Sequence, residues 1–186
     1  MNANNIEADF KRKAAQLERY ALQEFPRMAK RKALRFIDGN FRAQGWQGRS
    51  FLPWQATRRG STILVKTGAG RRSIHGDTSP GEVRIYSNSP YMRYHNRGFK
   101  GTVQVKGHTK LNWEAYKTGT GRYNTKSGKE RKKTLHRIVG TTDVQAHQRQ
   151  MNLAKRQFMP ESPSDSPILF DSIKRSVVAS IKAIFE

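Results

Sequence analysis

Residues 81–99, which read GEVRIYSNSPYMRYHNRGF, constrain the fold of this chain more than any other stretch. Val83 and Ile85 alternate with polar neighbours, the period-2 pattern of a strand with one buried and one exposed face. A turn-forming run of Ser, Asn, Ser and Pro then ends the strand, and aromatic residues follow at helical spacing up to Gly98. The stretch predicts a compact corner of strand, turn and short helix, against which other segments have to pack.

The segments before this corner predict a hairpin and an anchored loop. We expect residues 72–75 to pair with residues 82–86, because the intervening Thr-Ser-Pro-Gly run, residues 78–81, suits a hairpin turn. Trp46 and Trp54 lie in a loop rich in Gly and Pro, and large aromatic side chains usually anchor such loops to a core. Stacking on nucleic-acid bases is the less favoured interpretation of these tryptophans.

The two ends of the chain carry helical periodicity. Between about residues 4 and 43 the apolar spacing predicts two helical pieces, with Pro26 at a kink or in the first turn of the second. Ser166 and Pro167 suit the start of a final amphipathic helix, which we expect to cover one face of a sheet. Its apolar stripe consists of Leu169, Ile173, Val177, Ile181 and Ile184.

Because helices at both ends flank the strands and no βαβ alternation is visible, the predicted class is α+β. We expect a small, mostly antiparallel sheet packed by the N-terminal helices and the C-terminal helix, with a long basic hairpin or loop insertion. The predicted single domain spans residues 1–186. Its parts are an N-terminal helical region (1–43), a core (44–106 and 150–186) and a basic flexible insertion (107–149).

The insertion has two strand-like ends and a polar middle. Residues 103–110 alternate, residues 144–149 resemble them, and the two are expected to pair as arms of a long hairpin. Between them, residues 118–133 (TGTGRYNTKSGKERKK) have little to bury, so we expect them to be flexible or ordered only by a partner.

The charge of the chain points to polyanionic partners. Thirty-six Lys and Arg oppose fourteen Asp and Glu, a formal net charge of +22, which attracts nucleic acid or acidic protein surfaces. A merely solubilising surface accounts for scattered charges equally well. The candidate residues for binding DNA or an acidic partner are the cations of the insertion: Arg122, Lys126, Lys129, Arg131, Lys132 and Lys133.

The sequence offers no convincing catalytic or metal site. There is no cysteine, no Ser-His-Asp arrangement is readable, and the fourteen acids are scattered. His95 beside Asn96 resembles an HNH-type nuclease corner, yet no acid lies at a spacing that would hold a divalent cation. His108 and His147 lack a third ligand. We therefore predict a protein that is not an enzyme and uses no metal or other cofactor. Without a signal-peptide pattern or an apolar run of about 20 residues, it is also expected to be soluble and to avoid membranes.

Several short motifs resemble the phage virion-morphogenesis or tail-completion family of the Mu gpG type. The resemblance rests on Trp54, the runs 67–74 (TGAGRRSI) and 83–88 (VRIYSN), the pair Tyr91-Met92, the runs 95–98 (HNRG) and 156–160 (RQFMP), and the final amphipathic helix. Gly70 departs from the family pattern, which usually places Leu there. The resemblance covers most of the chain apart from the first helix and the insertion.

This resemblance implies a structural and assembly role. Members join or terminate phage tails, so the implied protein is a tail-completion or head–tail joining subunit. Its implied partners are other phage tail or connector proteins and further copies of itself, in a ring of six. Its implied location is the bacterial cytoplasm during assembly and then the neck or tail of the virion. The alternative is a non-specific nucleic-acid-binding protein. The sequence leaves open whether the head connector, the tail tube or DNA is contacted.

Overall fold

A computed structural model describes residues 3–57, 60 and 62–186. Its helices are α1 (Ala3–Arg19), α2 (Phe25–Ala43), α3 (Ala69–Arg72), α4 (Pro90–Arg97) and α5 (Pro167–Phe185), with a π-helical turn at Tyr20–Glu24 and a 3₁₀ turn at Pro163–Asp165. Its strands are β1 (Gly45–Gln47), β2 (Phe51–Pro53), β3 (Ile74–Ser79), β4 (Glu82–Ser87), β5 (Phe99–Val105), β6 (His108–Tyr123), β7 (Glu130–Val144) and β8 (His147–Leu153).

The α+β class is confirmed, although the strands form separate pairs rather than one sheet. The described residues contain four two-stranded pairings, β1–β2, β3–β4, β5–β8 and β6–β7. The chain divides into two compact units. We call Met1–Phe99 with Asn152–Glu186 the core unit, and Lys100–Met151 the arm unit. The arm unit extends beyond the predicted insertion, residues 107–149, at both ends.

Pro26 determines how the N-terminal helices join. Proline has no N–H, so residue 26 cannot bond the carbonyl of Leu22 as a regular helix would require. The N–H of Phe25 instead bonds the carbonyl of Tyr20, the i to i−5 bond of a π-helix. The freed carbonyl of Leu22 accepts the N–H of Gly81 at 3.1 Å. Of the two predicted positions for Pro26, a kink or the first turn of a second helix, the structure shows the first turn of α2, and the missing donor also ties that helix to the β3–β4 turn.

The predicted corner is present in the core unit. β3 and β4 pair antiparallel from Ile74 opposite Ser87 to Ser79 opposite Glu82, so the hairpin prediction is confirmed. The first strand spans Ile74–Ser79 instead of residues 72–75, because residues 69–72 form α3 and the turn is confined to residues 80–81. Gly81 has φ of +72° in the turn, a left-handed conformation that glycine adopts without steric cost. α4 then follows β4, as the aromatic spacing predicted.

The core of this unit lies between α2, the Trp54 loop, α4 and the segment of residues 156–160. Its buried side chains are Ile37, Phe41, Trp54, Ile63, Met92 and Phe158. Trp46 and Trp54 are 5% and 6% exposed, which confirms the anchoring interpretation. The rings of Phe41 and Trp54 meet edge to face at 5.5 Å, a favourable geometry for aromatic pairs.

We call residues 156–160 the Phe158 segment; side chains, rather than strand pairing, hold its backbone. Asn40, which is fully buried, donates to the carbonyl of Phe158 at 3.0 Å. Trp54 Nε1 donates to the preceding carbonyl at 2.8 Å. From α4, Asn96 Oδ1 accepts the backbone N–H groups of Phe158 and Met159. Because buried backbone groups are costly when unpaired, these side chains take the place of a sheet neighbour.

α5 packs on helices and not on the predicted sheet face. It contacts α2 and α1, and Lys32 on α2 donates to Ser172 at 2.8 Å. The reason is that α2 already packs against β3 and β4. Leu169 is buried, whereas Ile181 is 36% exposed, so the apolar stripe is only partly covered. Within the described residues, no helix has the length and apolar character needed to cross a membrane.

Candidate functional site

The arm unit contains a long two-stranded hairpin. β6 and β7 pair antiparallel from His108 opposite Val144 to Tyr123 opposite Glu130. At the strand rise of about 3.3 Å per residue, the sixteen residues of β6 span roughly 50 Å. The register shifts once beside Trp113 and again near the tip. The prediction that residues 103–110 and 144–149 belong to the arms of a long hairpin is confirmed by the pairings β6–β7 and β5–β8.

The expectation that residues 118–133 lack structure of their own is wrong for most of them, because the strands continue to Tyr123 and resume at Glu130. Their polar groups are satisfied across the hairpin. Thr120 Oγ1 donates to the carbonyl of Arg131 at 2.7 Å, and the Glu130 carboxylate accepts the N–H of Gly121 at 2.8 Å. Cross-strand bonding and β-branched threonines order this segment without a buried core.

The structure brings all six predicted cations together at the hairpin tip. They lie on the last residues of β6, in the turn, and on the first residues of β7, and every one is exposed. None forms an ion pair within residues 3–57, 60 and 62–186. The one acid among them, Glu130, is bonded to the backbone of Gly121. This bond leaves the charge of Glu130 in place, so the tip offers six cations without ion pairs, and a net charge of +5, to phosphates or carboxylates.

One face of the hairpin carries exposed apolar side chains that we did not predict. Trp113 lies directly opposite Ile138, and Leu111 lies two residues earlier on the same face. These side chains are 58%, 51% and 45% exposed. The alternation of Leu111, Asn112 and Trp113 is the period-2 signal that would have revealed them. An exposed apolar group rimmed by polar residues is typical of interaction surfaces.

The opposite face holds an internal ion pair. Arg137 donates to the Glu114 carboxylate through Nε at 3.0 Å and through a terminal nitrogen at 2.8 Å. The same guanidinium lies over the ring of Tyr116, 5.6 Å from its centroid. Arg137 is thus engaged within the hairpin, in contrast to the tip cations.

His108 and His147 mark matched breaks between the two strand pairs of the arm unit. His108 Nδ1 donates to the carbonyl of Lys106 at 3.0 Å, and His147 Nδ1 donates to that of Gln145 at 2.9 Å. Each break is two residues long and separates β5 from β6 or β7 from β8. The two similar stretches, residues 105–108 and 144–147, therefore form equivalent interruptions of the strands. The described part of the chain has no group of three or more His, Asp or Glu positioned to hold a metal ion.

The His95–Asn96 pair, which resembles a nuclease corner in sequence, is part of the core packing. Asn96 uses both side-chain atoms on the Phe158 segment. The carbonyl of His95 accepts the N–H of Arg156 at 2.8 Å. Burial, with a smaller contribution from the Arg156 guanidinium, lowers the pKa of His95 below its usual range. A neutral imidazole in this position supports packing of the segment.

No protein-family model, curated protein or solved structure matches the chain. The resemblance to the tail-completion family therefore stays a prediction. Its motifs are nevertheless neighbours in the core unit, since Trp54, Met92 and Phe158 belong to one buried cluster. Asn96, from the same motifs, bonds the backbone beside Phe158.

Proposed function

We propose that this protein is a structural subunit of a phage particle that acts in tail completion or head–tail joining, and that the hairpin tip contacts DNA phosphates there. It would work as a homo-oligomer beside other tail or connector proteins, first in the bacterial cytoplasm and then in the neck or tail. The carrying observation is the cluster of six exposed, unpaired cations at the end of a long hairpin.

The distribution of polar side chains supports a contact-making role over catalysis. The buried asparagines, Asn40 and Asn96, both hold the Phe158 segment. Exposed cations that form no ion pair within the described residues instead gather at the hairpin tip, where they can meet a large partner. Contacts from Lys and Arg to phosphates position a protein on DNA without reading its sequence.

A salt titration of duplex DNA binding tests the tip contact. The variant changes the six tip cations to Gln. We expect the slope of log affinity against log salt to fall by up to about 0.9 for each phosphate that the variant no longer neutralises. Affinity should fall equally on unrelated DNA sequences, because no base edges are read.

The matched control removes the same charge from the core unit. It changes six exposed cations that form no ion pair in the described part of the chain: Arg27, Arg31, Arg35, Arg49, Lys174 and Arg175. If both variants lower the slope equally, binding reflects net charge and the tip has no special role. If the tip variant leaves the slope unchanged, DNA is excluded as the partner of the tip, and an acidic protein becomes the better hypothesis.

Deleting the gene from the phage or prophage that carries it tests the assembly role. We expect electron micrographs to show separate heads and tails, or tails with abnormal ends, and complementation with the intact gene to restore joined particles. Normal, joined tails without this protein would refute the assembly role. DNA binding retained in that case would favour the alternative, a non-specific nucleic-acid-binding protein, for which the exposed Tyr123 at the tip offers a stacking surface.

A further inference from the structure

Two helices of the core unit expose apolar side chains along one continuous stripe. On α1, Ile6 and Phe10 are 57% and 70% exposed. On α5, Val178, Ile181 and Phe185 are 57%, 36% and 49% exposed. We call these five residues the helical stripe. Exposed apolar side chains occur singly on most proteins, whereas a contiguous set marks an interaction surface.

Lys13 shows that the two parts of the stripe meet. Ile6, Phe10 and Lys13 follow at steps of four and three on α1, so they share one face. Lys13 Nζ donates to the carbonyl of Phe185 at 3.2 Å and lies 6.0 Å from the centroid of its ring. Val178 and Phe185 share a face of α5 by the same spacing. The stripe thus runs from α1 across Lys13 onto α5.

The surface around the stripe carries little net charge, unlike the chain as a whole. Residues 3–13 carry two acids and three cations, and residues 176–186 carry one of each, a net charge of +1. Lys11 pairs with Glu7 at 2.6 Å, and Lys182 pairs with Glu186 at 3.1 Å. Asp9 is bonded by the cations that follow it on the helix. A chain of net charge +22 repels its own copies over most of its surface, and this repulsion is weakest at the helical stripe.

We infer that the helical stripe is the surface on which a second copy of this chain docks. The inference rests on the oligomer assumed in the proposed function and names its interface. The five exposed side chains present on the order of 500 Å² of apolar area, so two copies would remove about 1,000 Å² from water, near the lower limit for a specific interface. An acidic partner would gain little from a surface with so low a net charge, whereas a copy of the same charged chain needs one.

Sedimentation of the full chain over a concentration series tests the interface. The variant is Phe10→Gln, which removes an exposed ring from a helix and leaves the buried core intact. We expect it to weaken self-association by about tenfold or more, since a buried aromatic ring contributes that much to binding. Raising the salt should strengthen association of the unaltered chain, because it screens the general repulsion and leaves the apolar contact intact.

Tyr91→Gln is the matched control, because Tyr91 is 71% exposed and lies on α4 of the same unit. It should leave the association constant unchanged, and melting curves should show both variants folded. A chain that stays monomeric at all concentrations and salts refutes the inference. Association that weakens as the salt concentration rises also refutes it. A third refuting result is an association constant that Tyr91→Gln lowers and Phe10→Gln leaves unchanged. Neither measurement involves DNA or phage particles, so the interface can fail while the DNA contact of the tip and the assembly role stand, and the reverse.

Discussion

Asn96→Ala is the substitution that most directly tests how the core unit is held together. The side chain of Asn96 is 4% exposed and makes four bonds. Its Oδ1 accepts the N–H groups of Phe158 and Met159, both at 2.9 Å. Its Nδ2 donates to the carbonyl of Met159 and to the Glu161 carboxylate, both at 3.1 Å. Alanine removes all four bonds and leaves the N–H groups of Phe158 and Met159 without the Asn96 acceptor.

The expected loss follows from the groups left unpaired. A buried donor without a partner costs about 1–3 kcal/mol. Phe158 is 1% exposed, so its N–H loses its partner completely, whereas half-buried Met159 can partly recover through water. The sum is roughly 2–5 kcal/mol in the free energy of unfolding. That is a large fraction of the 5–15 kcal/mol typical of a folded protein and corresponds to about 4–20 °C in melting temperature for a chain of this size.

Calorimetry or circular dichroism melting measures this loss against a matched control. Asn88→Ala changes an exposed asparagine next to the same corner, whose side chain makes no hydrogen bond within the described residues. An exposed substitution of this kind should change stability by about 0.5 kcal/mol or less. If the melting temperatures of Asn96→Ala and Asn88→Ala both lie within about 2 °C of that of the unaltered protein, the Asn96 side chain does not hold the Phe158 segment.

Asn96→Asp separates the accepting from the donating role. A carboxylate can still accept both N–H groups, but it cannot donate to Met159 and it faces Glu161. We expect a loss at neutral pH that shrinks relative to the unaltered protein as the pH falls, because protonation restores a donor and removes the repulsion. A loss that does not depend on pH would mean that the donor bonds contribute nothing.

Four further substitutions test other parts of the core unit. Because the pKa of His95 is lowered in the folded protein, protonation of its imidazole favours unfolding, and the free energy of unfolding should fall as the pH drops below about 6.5. His95→Gln should make this fall smaller, which melting curves at pH values of about 7.5 and 5.5 would measure. Leu169→Ala should lower the free energy of unfolding by about 2–5 kcal/mol, whereas Ile181→Ala, at a half-exposed position, should lower it by about 1 kcal/mol. Equal losses of the two variants in denaturant titrations would contradict the partial burial of α5. Gly98→Ala should cost about 1–2 kcal/mol or more, because φ is +77° and a Cβ would lie 3.1–3.3 Å from the backbone of residues 153–155; an unchanged melting temperature would refute this.

Local patterns in the sequence determined the long helices and the β3–β4 hairpin of the core unit, but not β1, β2 or α3. Period-2 alternation and a Pro-Gly turn identified the β3–β4 hairpin, and apolar spacing identified the helices at both ends, because these signals depend only on neighbouring residues. Pro26 similarly indicated where the regular hydrogen bonding of the long N-terminal helix is interrupted, since the missing N–H is a property of the residue itself.

The tertiary structure decided what those elements meet. Nothing near Asn40 or Asn96 in the sequence indicates that both reach the Phe158 segment, because their partners lie 118 and 62 residues away. α5 packs on helices because α2 already occupies the sheet face, a competition that the stripe of α5 alone cannot reveal. The ordering of the tip also depended on the pairing of β6 with β7, since the six cations lie within residues 122–133 of the sequence but only this pairing makes them the end of a structured hairpin. Contacts between distant residues arise from the packing of whole elements, whereas sequence patterns record only what each element does by itself.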